Sequence, residues 1–287
     1  DPACGCGNFL IVSYRELREL ELQVLLAIKA ETKGDTRFLA LDIRPLIKVS
    51  ISQFYGIELE EFPVEVARVS MWLMEHVMNL KVGKTFGQVI SSIPLQHSAT
   101  IVCANALTID WKDVVAPEKL HYIMGNPPFS GYQYMDEQQK EYIANRFKKN
   151  KYSRSIDLVS GWFLLASKFI VKTDIEVSFV STNSIVQGET VSRFWDFMQD
   201  DIINFAYRTF VWDSEASVKA HVHCVIIGFA KFSRSTKYLY DNGRTTVAEN
   251  INRYLMNGDD ILVRSRNKPL CDIPKMIYGN KPADGGN

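Results

Sequence analysis

No run of apolar residues in this 287-residue sequence is long enough to span a bilayer. The longest, Leu158 to Val171, is broken by Ser160, Ser167 and Lys168. It falls short of the ~20 residues a crossing needs and is expected to be a buried helix, with no membrane partner. Net charge is also missing, since 33 Lys plus Arg balance 33 Asp plus Glu. That balance excludes a domain-wide attraction for nucleic acid and leaves any such contact local. The five cysteines contain no Cys-x-x-Cys pair, and nothing near Cys4 and Cys6 completes four ligands. A reduced, cytoplasmic protein without a metal site is therefore expected, rather than a disulfide framework. No initiator Met, signal peptide or leading strand precedes Asp1, so the chain reads as a piece of something longer. Internal repeats and low-complexity tracts are absent.

What is present is apolar material for one well-buried core: 46% of the residues are hydrophobic. From Asn8 to Glu31, Phe9, Val12, Leu17, Leu20, Val24 and Ile28 recur at helical spacing between charged residues, and Gly34 closes the pattern. Short apolar runs then alternate with helical ones. The runs 37–41, 53–58, 99–103, 121–125, 176–181, 202–210, 221–229 and 237–240 predict strands; 44–52, 62–78, 155–171 and 190–200 predict helices. Strands separated by helices require crossover connections. The expected fold is therefore α/β, a Rossmann-like, mostly parallel sheet with helices on both faces. Fewer helices separate the late strands, which predicts an antiparallel edge. After Asp241 the pattern weakens, and the chain from Arg264 to Asn287 reads as an extended exit segment. In such sheets ligands sit beyond the carboxyl ends of the strands.

Four short segments carry chemistry. Asp1-Pro2-Ala3-Cys4-Gly5-Cys6-Gly7-Asn8, running into Phe9, is a glycine-rich turn opening a long helix. Its glycines give backbone clearance, and its helix amides face a ligand. Glu58 ends an apolar strand, where a carboxylate can accept from a ribose diol; taken alone it is an ordinary solvated acid. A third strand ends at Asn105-Ala106-Leu107, where Asn105 could meet an adenine edge while Ala106 and Leu107 pack near it. The fourth segment is Asn126-Pro127-Pro128-Phe129, directly after a strand. Asn126 and Pro127 each precede a proline and are pushed to extended backbone, and both rings fix φ. The outcome is a stiff bracket. It can aim two neutral acceptors, the Asn126 amide oxygen and the Pro127 carbonyl, at one exocyclic amine. As a ring-conjugated amine attacks a methyl donor, positive charge grows on nitrogen, and fixed acceptors stabilise it.

In this order, these segments resemble the gamma-ordered adenine-N6 DNA methyltransferases, whose cofactor motifs precede the catalytic tetrapeptide. More narrowly, Ser181 to Glu189, Arg208 to Trp212 and Val222 to Phe229 look like the methyltransferase region of the MmeI-like enzymes. In that family nuclease, methyltransferase and target-recognition regions share one polypeptide. The resemblance implies a class I fold dependent on S-adenosylmethionine for residues 1–241 and an exit toward a target-recognition region for 242–287. It implies a site-specific adenine methyltransferase of a restriction-modification system acting on double-stranded DNA, with the nuclease and recognition regions elsewhere in the polypeptide. Asp1, Pro2, Ala3, Cys4, Gly5, Gly7, Asn8, Phe9, Glu58, Asn105, Ala106 and Leu107 would hold the cofactor. Asn126, Pro127, Pro128 and Phe129 would be catalytic, with Phe129 stacking on a base flipped from the duplex. Phe210 and Trp212 are candidates for the second stacking side. Cys6 departs from the Ser frequent in the family.

Other features are not promoted. Glu31-Thr32-Lys33 matches a nuclease Glu-x-Lys but lacks an upstream Asp in strand context. His221 and His223 alternate on a strand without a third ligand. The basic run Arg146, Lys148, Lys149, Lys151 and Arg154, with Tyr152, fits either DNA phosphates or a solvated helix end. No Pro-Cys dipeptide occurs, so the covalent route of cytosine-C5 methylation has no nucleophile. Methylation of another planar amine (cytosine N4, an RNA base, a glutamine amide) and a catalytically idle DNA-binding or assembly module remain as alternatives.

Overall fold

The computed structural model describes residues 1–31, 42–90, 98–147, 156–212 and 222–264, with Trp212 described by its backbone only. The expected strand at 37–41, His221, most of the basic run and the exit segment beyond Arg264 lie outside these residues.

The glycine turn leads into α1 (Asn8–Glu31). The helix lies where its period placed it, but its buried stripe is Leu10, Tyr14, Arg18, Leu22 and Leu25. Val12, Leu17, Leu20, Val24 and Ile28 are exposed. Arg18 hid the true face. Its guanidinium is buried and hydrogen-bonded to the Tyr14 hydroxyl at 3.0 Å and to the Asn79 amide oxygen at 3.0 Å, with Glu21 at 3.2 Å. A charge can occupy a core stripe only when partnered in this way.

Next come β1 (Tyr55–Glu58), α2 (Glu61–Phe86) and β2 (Thr100–Cys103), with β1 and β2 parallel. Gly87 ends α2 in the left-handed conformation at φ 67°, its N–H returning to the Gly83 carbonyl. A second sheet holds β3 (Tyr122–Gly125), β4 (Glu176–Thr182), β5 (Ile202–Trp212), β6 (Val222–Ala230), β7 (Lys237–Asp241) and β8 (Arg244–Ala248), in the order β3-β4-β6-β5-β7-β8. Between β3 and β4 lie α3 (Glu137–Arg146) and α4 (Ser160–Phe169); α5 (Gly188–Trp195) follows β4. β3 and β4 are parallel, β6 runs antiparallel between β4 and β5, and β7 and β8 form a hairpin beyond β5. The α/β class is as expected, and the antiparallel region reaches inward to β4. Two reversals restore direction, so β3, β4 and β5 end at the same rim. Ile251 and Arg253 tie the last segment down: Ile251 bridges Ile203, and Arg253 donates to the Asp201 carbonyl at 2.6 Å over the Trp195 ring.

Core forms on both sides of β1. Ile57 joins the larger cluster, in which Phe163 of α4 meets Phe179 edge-on and stacks on Phe229. Gly56, next in line, faces Cys4 and Leu10 on the α1 side. This alternation is the period of a strand covered on both faces.

Several expected bounds are corrected. The helix expected at 44–52 is two 3-10 turns, Arg44–Leu46 and Ile51–Gln53, with Ile47 extended between them. There the N–H groups of Lys48 and Val49 donate to the Glu21 carboxylate instead of to helical carbonyls. Ser50 then opens a fresh turn through a capping box with Gln53, which takes Gln53 out of the expected strand. The helix expected at 62–78 runs on to Phe86, and that expected at 155–171 is confined to Ser160–Phe169. The one expected at 190–200 starts at Gly188 and stops at Trp195, whose indole N–H turns to the Ile185 carbonyl.

Candidate active site

Asp1 runs beside β1 as a strand residue would. Its nitrogen donates to the Tyr55 carbonyl at 2.9 Å, its carbonyl accepts from Ile57 N–H at 3.0 Å, and Cys4 N–H follows onto the Ile57 carbonyl at 3.1 Å. Beyond it the chain turns through Gly5 and Gly7 at φ of 53° and 86°, a left-handed region that side chains resist. Gly7 is needed twice over, because a Cβ there would sit 3.0 Å from Ala67 Cβ of α2. The Cys4 thiol is pushed up to about 11, chiefly by burial, so it is an inert packing group.

Glu58, at the carboxyl end of β1, reaches back to this loop. One carboxylate oxygen accepts from Gly5 N–H at 2.8 Å; the other accepts from Leu59 and Glu60 N–H at 2.8 and 3.2 Å. β2 ends alongside, where Ala104 N–H donates to the Glu58 carbonyl at 2.8 Å. The Asn105 side chain is exposed and accepts from Leu107 N–H, while Ala106 and Leu107 are buried in the larger core.

β3 brings up the bracket. The Asp1 carboxylate lies against Gly125, where a Cβ would meet its Oδ1 at 2.4 Å. Asn126 follows at once. Its side-chain oxygen is enclosed and has no hydrogen-bond partner among the described residues. Pro127 is buried, Pro128 exposed, and Phe129 half-buried against the core. Ser130 is fixed on both sides: its N–H donates to the Asp157 carboxylate, and its carbonyl accepts from Leu158 N–H, both at 3.0 Å. Burial raises the Asp157 carboxyl above its usual range, against the backbone donors that pull it down.

The loop, Glu58, Asn105 and Asn126 therefore gather at the carboxyl ends of β1, β2 and β3. Phe210 and Trp212 end β5 at the same rim, Phe210 in register with Cys224 and through it with Thr182 of β4. Two positioning residues escaped the sequence reading, Asp157 and Trp162, whose indole N–H donates to the Pro2 carbonyl at 2.9 Å. No local pattern marks either, since their partners lie far away in sequence. A cleft of about 360 Å³, which Asp1 and Pro2 also line, lies between the facing edges of β1 and β3, walled by Tyr55, Gly56, Ile57, Tyr122, Ile123 and Met124. Its walls are mainly apolar. Among the described residues no helix is long and apolar enough to cross a membrane.

The family model of the MmeI DNA-methyltransferase domain matches residues 1–241. DNA methyltransferase A of Bacillus subtilis (strain 168) is 39% identical over 292 aligned positions, spanning 100% of this chain and 32% of that protein. Among solved structures, the Type IIL restriction-modification enzyme MmeI in complex with DNA superposes with a TM-score of 0.89 at 44% identity, over 100% of this chain and 39% of that one. The ATP-dependent Type ISP restriction-modification enzyme LlaBIII, bound to DNA, shares the fold at a TM-score of 0.52 and 14% identity, over 84% of this chain and 18% of its own. The chain thus spans about a third of the curated relative it matches.

Proposed function

This chain belongs to the MmeI DNA-methyltransferase domain family, and on that premise we propose that it is the catalytic core of a site-specific DNA methyltransferase that modifies the N6 amine of adenine. One observation carries the chemistry: the enclosed Asn126 oxygen has no partner among the described residues. An acceptor shut away from solvent costs about 1–3 kcal/mol unless a donor arrives, and an exocyclic amine is such a donor. Pro127 supplies the second acceptor, its carbonyl. As the amine becomes cationic, both oxygens stabilise its charge without prior movement. Phe129 stacks on the extruded base, and Phe210 and Trp212, at the end of β5, are the candidates for the second side of that stack.

The donor set fits S-adenosylmethionine, which supplies an activated methyl group when bound. In this reading the Asp1 carboxylate takes the methionyl ammonium, with Pro2, Ala3, Cys4, Gly5, Gly7, Asn8 and Phe9 as the loop around it. The Glu58 carboxylate, held by Gly5, takes the ribose hydroxyls. Asn105 takes the adenine edge over Ala106 and Leu107. Residues 1–241 form the methyltransferase domain in this reading, and β8, Ile251 and Leu255 carry its sheet and core past that bound. The chain from 242 leads toward a target-recognition region after β8 has closed the sheet. Double-stranded DNA is the substrate, and a nuclease and the recognition region belong to the same longer polypeptide. The cleft between β1 and β3 seats an upstream strand of that polypeptide, parallel to both edges and continuing the hydrogen bonds begun at Asp1.

The test uses the full-length enzyme and a duplex library, with mass spectrometry of the digested nucleosides. N6-methyladenine that disappears in Asn126→Ala, while S-adenosylmethionine affinity stays within about twofold, supports the reading. Methyl groups on cytosine N4, or equal loss of binding and transfer in Asn126→Ala, would overturn it. The expected loss of rate is about a hundredfold or more, from about 3 kcal/mol of lost charge stabilisation.

A further inference from the structure

The glycine loop and the bracket exchange no hydrogen bond with each other among the described residues. Both hydrogen-bond to one short stretch of chain, residues 157–162 at the start of α4. Trp162, 6% exposed, donates its indole N–H to the Pro2 carbonyl at 2.9 Å across 160 residues of sequence. Asp157 accepts from Ser130 N–H at 3.0 Å and from its own Val159 N–H at 3.2 Å, while Leu158 N–H returns to the Ser130 carbonyl. Between them Gly161 leaves room for the third loop, since a Cβ there would stand 2.9 Å from Leu107 Cδ2 and 3.1 Å from Tyr142 Cε1.

We propose that this turn is a positioning device that sets the cofactor loop and the catalytic bracket relative to one another, Trp162 acting on the loop and Asp157 on the bracket. The rest of α4 is a core helix: Phe163, Leu164, Ala166 and Phe169 are buried in the larger cluster. Packing alone would be served by Phe at 162 and by any small polar cap at 157. Instead the polar atoms of these two side chains reach the two loops at which cofactor and base meet. The first fixes the Pro2 carbonyl, so that Asp1 stays against Gly125. The second fixes Ser130, the residue after Phe129, so that the bracket cannot swing on its distal side. Rigid aim of this kind governs rate steeply, because a small misplacement of reacting atoms costs orders of magnitude. The inference rests on the reading of these loops as cofactor and catalytic elements.

The two arms separate in kinetics of the full-length enzyme. Trp162→Phe keeps the bulk and removes the donor; S-adenosylmethionine affinity is expected to fall about tenfold, with kcat at saturating cofactor falling much less. Asp157→Ala is expected to show the converse, a kcat lowered about tenfold with affinity nearly kept. Asp157→Asn, which retains an acceptor oxygen, is expected to restore most of that rate. Thermal melts of each variant establish that the protein is folded at the assay temperature. Loss of both parameters in equal ratio in both variants, no effect in either, or no rescue by Asn overturns the proposal while leaving the function standing. A wild-type enzyme that neither binds S-adenosylmethionine nor methylates DNA overturns the function, and this inference with it.

Discussion

The N–H of Gly5 and the carboxylate of Glu58 meet at 2.8 Å, across 53 residues, and join the glycine loop to the end of the neighbouring strand. In the proposed reading the same carboxylate also takes the ribose, so its removal is expected to strike the site twice, by loss of a ligand contact and by release of the loop. Glu58→Ala is expected to weaken S-adenosylmethionine binding by well over tenfold, and Glu58→Gln by less, since one amide oxygen can still accept from Gly5. Isothermal titration of the full-length protein measures both; equal affinities for Glu58→Gln and wild type would show that charge plays no part.

Gly125→Ala tests the contact between loop and strand. The added methyl would stand 2.4 Å from Asp1 Oδ1, a distance no real contact tolerates. The carboxylate must move. A fall of at least about tenfold in cofactor affinity is expected, with a stability loss on the order of 1–3 kcal/mol. An unchanged titration curve would mean that Asp1 is free to adopt another position at no cost to binding.

Asp157 leaves a signature in the pH dependence of stability. Its carboxyl is raised in the folded protein by burial. The folded state therefore holds this proton to higher pH than the unfolded chain, and the contribution of the group to stability falls as pH rises through that raised value. Asparagine at 157 has no such dependence. Urea melts from about pH 4 to pH 7 are expected to show Asp157→Asn gaining on wild type as pH increases. Wild type gaining on Asp157→Asn with rising pH would reverse the assignment.

Arg18 is 1% exposed, with its guanidinium shared between Tyr14, Asn79 and Glu21. Arg18→Met would leave Glu21, whose side chain is 10% exposed, without its cation. A cost of about 3–5 kcal/mol is expected in chemical denaturation. Adding Glu21→Gln should return part of it. Additive losses in the double variant would mean that the two charges do not interact.

Much of the candidate site was legible in sequence because its segments are short and contiguous. The order of the glycine turn, Glu58, Asn105 and Asn-Pro-Pro-Phe is written along the chain, and the last three each stand at the end of an apolar strand that sets their place at the rim. Two prolines suffice to stiffen the bracket wherever the rest of the fold carries it. The α/β class was legible for the same reason, from alternating runs of two periods. What the tertiary structure decided is whatever depends on a distant partner. The buried stripe of α1 turned on Arg18, a charge that only Tyr14, Asn79 and Glu21 together make tolerable in a core. The stretch 44–52 gave up its helix because the Glu21 carboxylate claimed its N–H groups. Asp157 and Trp162 gained their roles only when Ser130 and Pro2 were folded against them. Periodicity and turn chemistry act over a few residues. Hydrogen bonds and charge pairs between segments brought together by the fold follow no local pattern.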